Sequence, residues 1–90
     1  MKYLDWSLEK NEWLKKNRNI GFDEAVISLI EDGLLDTIDN PSKNFPEQKV
    51  FVVKINNYIY YIPFVEDEEK FFLKTIIPSR KALKKYLNKL

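Results

Sequence analysis

The side chains able to do chemistry in this chain are phenols, ammonium and guanidinium groups, carboxylates and hydroxyls, because its ninety residues include neither histidine nor cysteine. Their lack removes imidazole acid–base catalysis, thiolate nucleophiles, disulfides and sulfur-ligated metals, and leaves any metal to be a hard cation held on carboxylates. The cations are concentrated. From Lys74 to Leu90 the chain carries Lys74, Arg80, Lys81, Lys84, Lys85 and Lys89 and no acid, whereas Phe22 to Asp39 carries Asp23, Glu24, Glu31, Asp32, Asp36 and Asp39 and no base. A net charge of +1 therefore conceals one segment suited to anions and another suited to cations. An arginine presents a planar two-pronged donor that matches phosphate, and an exposed tyrosine such as Tyr60 offers a face on which a nucleobase stacks. The plainer readings stand beside these: the lysines are the wet face of a helix, and the tyrosines pack across strands.

One domain, residues 1–90, must position these groups, since a chain this short builds a single core, supplied here by 44% hydrophobic and 14% aromatic side chains. Asp5 or Ser7 can cap a first helix running to about Asn17, with Trp6, Trp13 and Leu14 as its apolar contacts, and Arg18-Asn19-Ile20-Gly21 breaks it. A second helix, roughly Phe22 to Asp32, turns Ala25, Val26, Leu29 and Ile30 inward; Asp23 and Glu24 suit its positive end and Gly33 follows it as a C′ residue. The period then changes. Leu34 to Ile38 reads as a short strand, and Asn40 to Pro46 as a loop. Lys49 to Ile55 and Tyr58 to Val65 are β-branched and aromatic runs joined by Asn56-Asn57, a pair that tolerates the positive φ of a two-residue hairpin. Glu66 to Glu69 forms the next turn, Lys70 to Ile77 returns as a strand, and Pro78 ends it. Pro63 has no N–H to give a ladder, so it marks either a bulge or an amide that faces away from its neighbour.

Ser79 then caps a last helix, Arg80 to Leu90, with an apolar stripe of Ala82, Leu83, Tyr86, Leu87 and Leu90. The expected fold class is α+β: two N-terminal helices on a roughly four-stranded antiparallel sheet, then a short C-terminal helix, with the helices on one face and the other face partly open. No apolar stretch of signal-peptide length opens the chain, and its longest uncharged segment, Ile55 to Val65, is about half a membrane span. A cytoplasmic protein is expected.

Leu4-Asp5-Trp6-Ser7-Leu8-Glu9-Lys10-Asn11, followed by Arg18-Asn19-Ile20-Gly21-Phe22-Asp23-Glu24-Ala25, resembles the opening of BrnT-type toxins, and Ile76-Ile77-Pro78-Ser79-Arg80-Lys81-Ala82 is similar to that family's Ile-Ile-Ser-Ala-Arg-Arg-Ala. Each motif is short, so the likeness rests on their order along nearly the whole chain. It implies the toxin of a bacterial type II toxin–antitoxin module with a RelE/ParE-like fold. It also implies cleavage of mRNA, on the ribosome or free, and neutralisation by a small ribbon-helix-helix antitoxin, with no metal or cofactor. Carried over by position, the family's strand-start basic residue falls on Lys49 and its arginine on Arg80. The basic residue before Ile-Ile falls on Thr75, with Lys74 one place earlier and so on the opposite sheet face by the period-two rule. The family's basic residue after the third strand falls in the acidic Glu66–Glu69 turn.

Metal-independent RNA cleavage must deprotonate a 2′-hydroxyl, stabilise a dianionic phosphorane and protonate the leaving 5′-oxygen. The expected catalytic set is Arg80, Lys49, Lys74 and Tyr86, with Lys81, Lys84, Lys85 and Tyr60 binding RNA. A different class of reading is a non-catalytic protein-binding module, whose acidic segments receive a basic partner and whose last helix docks by its apolar stripe. The two separate on whether Arg80, Lys49 and Lys74 meet in one hollow.

Overall fold

The computed structural model describes residues 2–87 and runs β1 (Tyr3–Trp6), α1 (Leu8–Arg18), α2 (Phe22–Ile30), β2 (Leu34–Asp39), β3 (Lys49–Ile55), β4 (Tyr58–Glu66), β5 (Lys70–Leu73), β6 (Ile77–Pro78) and α3 (Arg80–Leu87). It is an α+β fold. The strands lie in the order β1-β5-β4-β3-β2, with β6 paired to β4 beyond the end of β5.

Local chemistry accounts for each junction. Ser7 is extended and its side chain accepts the Lys10 amide at 3.2 Å, which starts α1; Asn19, at φ 56°, closes it in the left-handed conformation. Asn11, 7% exposed, accepts the Phe22 amide on its Oδ1 at 2.7 Å, so a buried side chain from α1 satisfies one of the free donors at the start of α2. Gly33 is not the C′ residue: the α2 cap is Glu31, and no glycine among the described residues has positive φ. Glycine is needed there for close approach, because an added Cβ would lie 2.7 Å from the Ser28 carbonyl oxygen and 2.8 Å from that of Lys54. Asn56 and Asn57 have φ of 51° and 66°, the two left-handed residues of the expected hairpin, and the register pairs Ile55 with Tyr58 and Lys49 with Phe64 at the far end.

Pro63 lies opposite Val50 and is buried. Counting from the hairpin turn, this is a pair that exchanges no hydrogen bonds with β3, so the residue's N and O face the other flank of β4. On that flank the carbonyl takes the Lys74 amide at 2.8 Å, and the missing N–H falls where β4 changes partner, from β5 at Phe64–Glu66 to β6 at Tyr60–Tyr61. The outward amide, not a bulge, explains this proline.

Alternation along the strands divides the sheet into two faces. The first carries Phe51, Val53, Ile55, Ile62, Phe64 and Leu73, packed against Leu14 of α1 and Phe22 and Ala25 of α2. The second carries Val52 and Ile59, packed against Ala82 of α3.

Three further expectations are corrected. The sheet has six strands and is mixed, because Tyr3–Trp6 forms an edge strand parallel to β5 before α1 begins. The C-terminal helix covers the second face, so the helices do not share one side. Ile30 is 73% exposed and Trp13 is 44% exposed, neither being core. The side chain of Leu87, and Leu90 with the last three residues of the expected helix, lie outside the described residues. Among those described, no helix is long and apolar enough to cross a membrane.

Replacing Asn11 with alanine strands the Phe22 amide in the interior, and the expected loss of unfolding free energy is about 1–3 kcal/mol, read by urea denaturation.

Candidate nucleic-acid interface

The second sheet face owes its charge to the way α3 is anchored. The Ser79 amide donates to the Ile59 carbonyl at 3.0 Å, and the Ser79 hydroxyl accepts the Ala82 amide at 3.1 Å, capping the helix as expected. Ala82, Leu83 and Tyr86 then turn onto Val52, Ile59 and Tyr61, and this packing leaves Arg80, Lys81, Lys84 and Lys85 exposed. The apolar stripe is spent on the protein's own sheet. Its expected availability to a partner, on the protein-binding reading, is therefore corrected for Ala82, Leu83 and Tyr86.

Lys74 belongs to the same face. It follows Leu73, whose side chain is on the first face, is exposed, and lines a cleft of about 530 Å³ whose floor includes Val50 and Pro63. Its Nζ sits 5.2 Å from the centroid of the Phe72 ring. Thr75, where the resemblance would put a basic residue, lines the cleft beside it. Among the described residues, Lys74, Arg80, Lys81, Lys84 and Lys85 take part in no ion pair; the pairs that form are Lys2–Glu66, Lys15–Asp23 and Lys70–Asp5. The acidic turn is engaged elsewhere: Glu66 pairs with Lys2, and Asp67 accepts the amides of Glu69 and Lys70 at 2.8 and 2.9 Å. Those two amides hold the Asp67 carboxyl below its ordinary range, so its contribution to stability is present above that range and is lost as pH falls through the lowered value.

The other expected site residues lie apart. Lys49 is paired in register with Phe64 and Asp39, so it stands on the first face, across the sheet from Lys74. Arg80 follows Ser79, which is tied to Ile59, while Lys74 is tied to Pro63; four residues of β4 separate the anchors, about 13 Å. Tyr60 is also on the first face, at 5.6 Å from Tyr58 in an edge-to-face pair, and burial, then the negative ends of Tyr58 and Glu24, push its phenol up. The structure thus gathers Lys74 and the α3 cations on one face but does not bring Arg80, Lys49 and Lys74 into one hollow.

Tyr86 points at the acidic edge of the sheet. Its hydroxyl donates to Asp36 Oδ2 at 2.9 Å, and Lys85 Nζ lies 5.3 Å from its ring centroid. Burial foremost, then the Asp36 carboxylate, raises its phenol above the ordinary value, so at neutral pH it keeps its proton and is a donor. Among the described residues no group of three or more acids gathers as a metal site. Sequence reasoning overlooked Lys10, Phe45 and Gln48, which also line the Lys74 cleft. The available signal was an aromatic residue set among amides and prolines in Asn40–Gln48, a stretch that reads as a connector.

In an alkaline absorbance titration, the Tyr86 signal, identified by its loss in Tyr86→Phe, is expected above 10.0; Asp36→Ala is expected to lower it part of the way, since burial is the larger cause and remains.

Compared with known proteins, the chain matches no family model, no curated protein and no solved structure.

Proposed function

We propose that this chain is the toxin of a bacterial type II toxin–antitoxin pair, a cytoplasmic protein that binds and cleaves RNA without a metal. The observation that carries the reading is the acid-free set Lys74, Arg80, Lys81, Lys84 and Lys85, exposed on one sheet face with no carboxylate partner among the described residues. Structural lysines that serve only as a wet surface need no such segregation; a phosphodiester chain does. The order of elements, two helices, a largely antiparallel sheet and a capped basic helix, agrees with the architecture that the motif resemblance implies.

In this reading Arg80 supplies the two-pronged clamp for the phosphorane, beside the first turn of α3, and Lys74 holds a neighbouring phosphate. Lys81, Lys84 and Lys85 follow the backbone. Lys49, on the far face, lies outside the RNA path. Tyr86 is a positioning residue, locking α3 to β2 through Asp36. The antitoxin is a small ribbon-helix-helix protein. The exposed Ile27, Ile30 and Leu34, edged by Glu31 and Asp32, suit a partner segment that is apolar and basic.

One observation favours a second reading. Because Arg80, Lys49 and Lys74 do not share a hollow, a chain that binds RNA or its antitoxin without cutting accounts for the same surface. Induction in a bacterium separates the two. Growth arrest with cut mRNA is expected, and Arg80→Ala is expected to slow cleavage by about 10²–10³-fold, the scale of a lost transition-state donor. RNA binding that falls steeply with salt, with no cut product, would leave the binding-only reading; no arrest and no RNA binding would remove both.

A further inference from the structure

The Lys74 cleft holds more than a cation. Its lining includes Phe45 from the Asn40–Gln48 loop on one side and Tyr61 and Ile77 toward the other; among the described residues Lys10 and Lys74 are its only charged members, and no acid lines it. Phe45 is 46% exposed and Ile77 is 40% exposed, two large apolar side chains open to solvent around one depression. A volume of about 530 Å³ is within the range of small-ligand sites.

A polar reader lies inside it. Gln48 is 9% exposed, and the network defines its orientation: Asn40 Oδ1 accepts the Ser42 amide at 2.9 Å, so Asn40 Nδ2 is the donor to Gln48 Oε1 at 3.0 Å. Gln48 Nε2 then has no acceptor in the protein among the described residues. No fully buried side-chain nitrogen or oxygen among them lacks a partner, so this nitrogen is not sealed off, and Gln48 is one of the residues that line the cleft. An apolar cleft with the Gln48 amide and Lys74 in its lining matches a nucleotide: a base against Phe45 and Tyr61, an acceptor on its edge for Gln48, and a phosphate for Lys74; Lys10 also lines the cleft, with its Nζ 4.4 Å from the centroid of the Trp13 ring. An apolar peptide side chain would leave the Gln48 amide and the Lys74 ammonium unused.

The geometry points to this cleft as a nucleotide-binding subsite, which takes one base of a single-stranded RNA and the phosphate beside it. This rests on the RNA-directed reading above and adds where a base is held, about 13 Å along β4 from the anchor of Arg80.

The test is calorimetric titration of the folded chain with nucleoside 3′-monophosphates, the parent nucleosides and inorganic phosphate. The monophosphates are expected to bind more tightly than either fragment. Phe45→Ala is expected to weaken nucleotide and nucleoside by about fivefold or more, the scale of one lost stacking contact, and to leave phosphate unchanged. Lys74→Ala should weaken nucleotide and phosphate while sparing the nucleoside. Lys16→Ala, the same charge change on α1 and outside the lining of the cleft, should alter none of them. Both test residues are exposed or half-exposed, and circular dichroism checks that each variant is folded. The proposal is overturned if the monophosphates do not saturate the wild-type chain, if Phe45→Ala and Lys74→Ala leave their affinity intact, or if an apolar peptide fills the cleft and nucleotides do not displace it. Saturation with these variant effects in a chain that causes no arrest would keep the subsite and remove the toxin; arrest without nucleotide binding would do the reverse.

Discussion

The arrangement of both faces depends on a single missing hydrogen. β4 is the central strand, and along one flank it must serve two short neighbours, β5 and then β6. Between them the chain leaves the sheet, and an ordinary residue at position 63 would point a buried N–H into that gap. Proline has none to point, so the gap costs no unsatisfied donor. The Pro63 carbonyl is used for the Lys74 amide, and from there residues 74–76 swing out, β6 rejoins, and Ser79 is delivered to Ile59 to start α3 on the second face. The cleft beside Lys74 and the basic helix beyond it both result from this break in pairing.

What could be read from residues alone was what local chemistry determines. Asn56-Asn57 between two β-branched and aromatic runs has few other uses than a tight hairpin, and the serine before each of α1 and α3 caps as its type requires. The misreadings share one cause. Tyr3–Trp6 has four residues and no turn signal; only Lys70–Leu73, more than sixty residues away, makes it a strand, and no local pattern encodes a parallel edge pairing. Ile30 has the spacing of a core residue but lies in the last turn of α2, where it is 73% exposed. The side on which α3 lands was likewise invisible, since an amphipathic stripe states that a face is buried and not against what. For the site, residue types were legible and coplacement was not: Lys49 and Lys74 sit one register step apart at the same end of the sheet, yet on opposite faces.

The same placement decides which chemistry the second face can support. With no imidazole in the chain, proton transfer near neutral pH would need a phenol or ammonium group brought far from its ordinary range. Tyr86 moves in the wrong direction for a base, because burial and the Asp36 carboxylate both favour its neutral form. Tyr60 also moves upward, and on the other face. The groups that remain are ammonium and guanidinium side chains that, among the described residues, pair with no carboxylate, so what they offer is a positive field suited to a phosphodiester. Such a field stabilises a pentacoordinate phosphorane more than the monoanionic ground state, since the attraction grows with the charge that develops. A catalyst built this way gains most of its rate from orientation of the 2′-hydroxyl and from charge, and little from proton transfer. On the proposed function it therefore depends heavily on holding the nucleotide still, which is the part proposed for the cleft lined by Phe45, Tyr61 and Lys74.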